Sequence, residues 1–148
     1  MKILPLAFLN LAERFTLISD LSMIQAILSK AGTDMANEEK PEISFDEFKK
    51  IDARVGTILS VERVPRTEKL YKIIVDLGSL GNRQTISSLV GYYEPNELIG
   101  KHVVFLFNLK PSKFAGEVSQ GMLLAAEEGE KIALLSTDRE IQNGSRVT

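Results

Sequence analysis

Two periodicities divide the chain. Over residues 1–34 apolar side chains recur at helical spacing. Leu4, Phe8, Leu11, Phe15 and Ile18 make one stripe, and Leu17, Leu21, Ile24 and Leu28 make a second. The pattern predicts a helical N-terminal extension, either continuous or broken at Ser19 and Asp20, and stopped at Gly32. Residues 31–42 are polar and broken by Gly32 and Pro41, which predicts a linker, bounded at residues 35–42. Met35-Ala36 within it resembles a translation start. Residues 1–34 are therefore read either as an upstream extension of the reading frame or as a helical arm for self-association or docking.

From residue 43 the period shortens to two. Ser44 with Glu47 predicts a capping box opening a short helix that ends near Ile51, with Ile43 and Phe48 at staple positions. Ala53, Val55, Thr57, Leu59 and Val61 alternate with Arg54, Gly56, Ile58, Ser60 and Glu62. This predicts a strand with a bend or bulge at Gly56. Pro65 to Lys69 reads as a charged loop. Tyr71, Ile73, Val75 and Leu77 predict one face of a second strand, and Gln84 to Leu89 a third. Glu94 to Ile99 predicts a helical turn, with Pro95 early and Gly100 after its end. Val103 to Phe107 and Met122 to Ala126 predict strands, as do Lys131 to Ser136 and Ile141 to Val147, with Asn143-Gly144 as a turn signal. Short strands at regular spacing, with one helical turn before the fourth, predict a small mainly β barrel over residues 43–148, carrying a C-terminal β extension.

Composition narrows the chemistry. With no cysteine, disulfides, thiolate zinc sites and thiol nucleophiles are excluded. A single histidine, His102, rules out a multi-histidine metal site and is read as a strand-edge residue. There is no phosphate-loop motif and no His-x-Gly-His. Glu127-Glu128 beside Gly129 reads as a solvated turn. These absences predict a non-enzyme with no cofactor and no metal. No apolar run approaches the roughly 20 residues of a membrane span, and Glu13, Arg14 and Asp20 argue against an export signal, so the chain is read as cytoplasmic.

The net charge of −2 looks unsuited to a nucleic-acid binder. The distribution changes that picture. Residues 49–113 hold 11 Lys/Arg and 6 Asp/Glu, and residues 114–148 hold 3 and 6, so a basic middle precedes an acidic end.

The most informative segment is Asn108-Leu-Lys-Pro-Ser-Lys-Phe-Ala-Gly-Glu-Val-Ser-Gln-Gly-Met122, a loop expected at the barrel rim between two strands. Glycines allow close backbone approach, lysines supply point charges for phosphates, and Asn and Ser can hydrogen-bond sugars or base edges. On residue type alone, a Gly- and Lys-rich surface loop is an equal reading.

The segment resembles the signature of the tRNA-binding domain family. Asp52-Ala-Arg-Val-Gly-Thr-Ile58, Lys69-Leu-Tyr71, Val75-Asp-Leu-Gly78 and Arg83-Gln-Thr-Ile86 extend the match over residues 43–148. The resemblance implies an OB-fold five-stranded barrel that binds tRNA mostly by shape and backbone. It is found as the methionyl-tRNA synthetase β chain or C-terminal domain, and it is usually a homodimer when free-standing. Carried over residue by residue, it marks Asn108, Lys110, Lys113, Ser119, Lys69, Arg54 and Arg83 as tRNA-binding residues. Lysines would meet phosphates, Asn108 and Ser119 would hydrogen-bond RNA, and Met122 would pack beneath the loop. Val64-Pro65 and Ser87-Ser88 depart from the family's usual His-Pro and Ser-Gly. Tyr92, Tyr93 and Phe114 are possible stacking surfaces, whereas Tyr71 is read as core.

The function expected is non-catalytic tRNA binding in trans, in protein biosynthesis, with an aminoacyl-tRNA synthetase catalytic subunit as possible partner. The alternative is a dimeric export chaperone like CsaA, which resembles the same family and would bind unfolded polypeptides.

Overall fold

The change of period at residue 43 coincides with the start of the compact unit that contains the strands. A computed structural model describes residues 38–148, and the helical reading of residues 1–34 and the suggested start at Met35 lie outside the described residues. Residues 38–43 are exposed and carry no regular element. Ser44–Thr148 folds as one unit.

The capping box forms as its spacing demands. Glu47 N–H donates to Ser44 Oγ at 3.1 Å, and Ser44 N–H donates to Glu47 Oε1 at 2.9 Å. The helix, α1, is a single turn, Phe45–Phe48, and leads into the long first strand, β1 (Ala53–Arg63). Then come β2 (Tyr71–Asp76), β3 (Asn82–Ser87), the one-turn helix α2 (Pro95–Leu98) and β4 (His102–Leu106). The rim loop contains β5 (Ser112–Phe114) and β6 (Glu117–Ser119), and β7 (Met122–Leu123) follows it. A hairpin of β8 (Ala125–Glu128) and β9 (Lys131–Leu134) and a final short strand, β10 (Arg146–Val147), make the C-terminal β extension. Glu127 and Glu128, read as a turn, belong to β8 and are exposed.

The barrel strands run β3-β2-β1-β4-β7, all antiparallel. β1 is long because it serves two partners in turn. Ala53 to Thr57 pair with β4 on one edge, and Thr57 to Arg63 pair with β2 on the other. β10 occupies the stretch of that second edge that β2 leaves bare, opposite Ala53 and Arg54. The register slips between Ile58 and Ser60. This bulge corrects the strict alternation read from the sequence: Ile58 is buried at 1% exposure while Leu59 turns outward at 45%. Gly56, where the bend was expected, has a different task. A Cβ there would lie 2.6 Å from Val75 Cγ1, so glycine lets β1 cross close over β2.

Tyr71, Ile73, Val75 and Leu77 form the predicted face and are all buried, together with Ile58, Val103 and Phe105. Leu98 of α2 is fully buried in this core, so the helical turn before the fourth barrel strand contributes a plug. Each such side chain contributes about 1.5–3 kcal/mol relative to exposure. The seam between β3 and the far strand closes through a mixture of backbone and side chain. Gln120 N–H donates to Gln84 O at 2.7 Å, and Gln84 N–H donates back to Gln120 Oε1 at 2.8 Å. The fold is the mainly β, nearly closed five-stranded OB barrel expected from the strand spacing.

Candidate nucleic-acid interface

In OB barrels, oligonucleotides sit on the face of strands two and three, between the loop joining strands one and two and the loop joining strands four and five. Here those loops are Val64–Leu70, which carries Lys69, and Phe107–Gly121, which carries Asn108, Lys110, Lys113 and Ser119. The second is more ordered than a Gly- and Lys-rich rim loop suggests. β5 and β6 pair as a hairpin, turning at Ala115 and Gly116, whose φ values are 52° and 85°. Two left-handed residues are what a tight two-residue hairpin requires. The hairpin is laid against the barrel by Gln84 Nε2 donating to Val118 O at 2.8 Å, and by Lys72 paired with Glu117 at 3.7 Å.

Strand alternation distributes its side chains. Ser112 and Phe114 share one face with the cross-strand partners Ser119 and Glu117, and Lys113 shares the other with Val118. Lys110 and Lys113 are both exposed, as is Lys69 in the other loop. Among the described residues, none of these three lysines is ion-paired with a carboxylate.

The remaining residues of the expected set have partners within the protein. Asn108 and Arg54 converge on Asp52. Asn108 Oδ1 accepts from Asp52 N–H at 2.9 Å, and its amide donates to Lys50 O at 2.6 Å, which ties the loop's first residue to the entry of β1. Arg54 Nε donates to Asp52 Oδ1 at 2.6 Å, and Nη1 donates to Gly144 O at 3.0 Å. The hydrogen bond to Asp52, aided by the carboxylate's charge, raises the guanidinium above its ordinary pKa in spite of partial burial. Two residues apart on a strand is a same-face spacing, so the Asp52/Arg54 pair was visible in the sequence and was passed over. Arg83 lies opposite Val75, with its guanidinium 4.5 Å from the centroid of Phe107.

Ser119 is more enclosed than expected, 5% exposed with its hydroxyl held within the protein. Its hydroxyl accepts from Ile86 N–H at 3.1 Å and lies 3.0 Å from Gly121 O and 3.2 Å from Thr85 Oγ1. It fastens the loop's exit to β3. Ser119→Ala should strand the buried Ile86 N–H and cost about 1–3 kcal/mol, read as a lowered urea midpoint. An unchanged midpoint would contradict this role. Met122 is corrected in the opposite sense. Expected beneath the loop, it is 44% exposed, because β7 is only two residues long and its buried member is Leu123. Tyr93 is partly buried against the core, its carbonyl accepting from Tyr71 O–H and its hydroxyl from Leu134 N–H, and so offers less ring surface than expected. Tyr92 and Phe114 remain exposed, Tyr71 is buried as read, and His102 pairs through Nδ1 with Thr57 Oγ1 at 3.3 Å.

The expected set is thus resolved into three exposed lysines on two loops, Arg83 over the Phe107 ring, and a supporting group of Arg54, Asn108 and Ser119. An OB barrel with exposed lysines on its two rim loops has the layout of an oligonucleotide-binding barrel. Residues 53–146 match the family model described as "Putative tRNA binding domain". The chain belongs to the tRNA-binding domain family. It is 51% identical over 112 residues to the methionine–tRNA ligase of Methanococcus maripaludis, a match covering 76% of this chain and 17% of that relative's length. The MetRS related protein of Pyrococcus horikoshii superposes with a TM-score of 0.69 at 39% identity, covering 74% of this chain and all of that one. The chaperone CsaA of Bacillus anthracis superposes with a TM-score of 0.66 at 28% identity, covering 73% of this chain and all of that one. Among the described residues, no helix is long and apolar enough to cross a membrane.

Proposed function

We propose that this chain is a non-catalytic cytoplasmic module that holds folded tRNA in trans and delivers it to an aminoacyl-tRNA synthetase catalytic subunit. The observation that carries the reading is the placement of Lys69, Lys110 and Lys113, exposed and, among the described residues, without carboxylate partners, on the two loops flanking the binding face of an OB barrel. Lysine ammoniums act as point charges for phosphates, so the grip is electrostatic and largely blind to sequence. The methionine–tRNA ligase relatives favour a synthetase as the partner, since this chain matches only 17% of such a protein's length. Tethering raises the local concentration of tRNA near a catalytic site without any chemistry in the tether.

Self-association as a homodimer belongs to the same proposal. Phe45, Phe48, Ile51 and Val147 remain exposed around a groove of about 520 Å³ between α1 and the last strand. Light scattering on the full chain should give twice the chain mass, and a clean monomer would remove this part.

Gel shift with total tRNA tests the main reading. A complex should form at low salt and dissolve at high salt, and no complex at low salt would overturn it. The chaperone reading is favoured by one observation, the exposure of Leu109, Phe114 and Met122 along the same loop. Parallel titration with a reduced, unfolded polypeptide separates the two.

A further inference from the structure

We propose that a slot between the β5–β6 hairpin and β7 receives one unstacked nucleobase of the bound RNA, an inference that rests on the tRNA-holding reading. Isolated exposed apolar side chains are ordinary on any surface, but a group gathered around one depression is not. Leu109, Phe114 and Met122, exposed by 44%, 46% and 44%, line this slot together with Ile86. Lys110, Ser112, Ser119 and Gly121 complete its lining.

The slot encloses about 120 Å³. Pockets for drug-sized molecules start near 300 Å³, so this one suits a single ring system and not an extended ligand. Its frame is held from below. The Ser119 hydroxyl ties the hairpin to β3, and Gly121 lies so close to Phe105 that only the absence of a Cβ allows it. Gln84 contributes a side-chain bond to Val118 O and a backbone bond to Gln120. The apolar walls therefore stay apart, and part of the ordering cost of binding is already met.

Charge decides between occupants. An apolar peptide side chain would fill the volume equally well, but Lys110 is among the residues that line the slot, and Lys113 stands on the outer face of the same hairpin. Cations around an apolar cleft match a flat heterocycle joined on both sides to phosphates. An aromatic wall accepts any base, because every base presents a π-face. Met122 adds a polarizable thioether that conforms to whichever ring arrives.

The test uses the full chain and three RNAs in anisotropy titrations at low salt: total tRNA, a blunt RNA duplex, and the same duplex with one bulged 2-aminopurine. The bulged duplex should bind about tenfold tighter than the blunt one, within the range for stacking one base. Acrylamide quenching of the bulged 2-aminopurine should fall on binding. Phe114→Ala, at an exposed position, should abolish both the preference and the protection while leaving blunt-duplex affinity and the melting temperature unchanged. Met122→Ala should reduce them. Equal binding of both duplexes without protection, while total tRNA still binds, would overturn the slot and leave the tRNA reading standing. Failure of every RNA to bind would overturn both. Displacement of the bulged duplex by a reduced, unfolded polypeptide whose own binding is lost in Phe114→Ala would overturn the base in favour of a peptide.

Discussion

Gly121→Ala should lower the unfolding free energy by about 3 kcal/mol, the upper end of what overpacking a core costs, and bring the melting temperature down by about 10 °C or more. The added methyl carbon would overlap Phe105 Cζ and lie 2.5 Å from Leu106 O. Phe105 is fully buried and Leu106 O belongs to β4, so neither neighbour can yield. Gly121 does not adopt a left-handed conformation, which makes the expected cost purely steric. Gly116→Ala is the matched control. Gly116 has φ near 85° with nothing within 4 Å of an added Cβ, so its cost is torsional and about 1–2 kcal/mol. Urea titration of both variants distinguishes the mechanisms. A Gly121→Ala protein as stable as Gly116→Ala would mean that β7 can move off β4. A larger loss in Gly121→Ala than in Gly116→Ala would explain the glycine of the ending Ser119-Gln-Gly-Met122 by close packing between strands.

That ending also shows where the sequence could be read and where it could not. Local chemistry was readable. The Ser44/Glu47 box, the Tyr71 to Leu77 face and the Pro95 helical turn depend on residues a few positions apart, and each formed as expected. Leu59 was misplaced because β1 exchanges β4 for β2 midway, and the bulge there depends on partners distant in sequence. Ser119 was assigned to RNA because a serine beside glycines in a lysine-rich loop looks available. Its burial arises from Thr85 and Ile86, more than thirty residues earlier. Met122 was expected to pack beneath the loop, but neither the motif nor its hydrophobicity says which side of a two-residue strand faces solvent. Arg54 and Asn108 were assigned to RNA, and in the structure both of them contact Asp52. The segment was located by its residue types, and the division between residues that support the loop and residues left free on it came only from the tertiary contacts.

The division makes its own quantitative claim. If Lys69, Lys110 and Lys113 supply two or three phosphate contacts, raising monovalent salt from about 50 mM to about 200 mM should weaken tRNA binding roughly 10- to 40-fold, from a slope of about −0.9 per contact. Lys110→Ala should flatten that slope by about 1, and at about 100 mM salt should weaken binding roughly eightfold, the value of one released counterion at that concentration. Lys69→Ala should do the same, and the two losses should multiply, because the residues stand on different loops and share no partner. Arg54→Met should behave differently. It leaves Asp52 without its 2.6 Å partner and Gly144 O without a donor, so it should lower the urea midpoint. Its salt slope should match the unmodified chain, because a guanidinium already neutralised by Asp52 releases no counterion when RNA arrives. Anisotropy titrations at four salt concentrations give all these slopes in one experiment. An Arg54→Met slope as shallow as that of Lys110→Ala would mean that Arg54 leaves Asp52 to reach a phosphate, and the supporting set would then have to be counted as part of the grip.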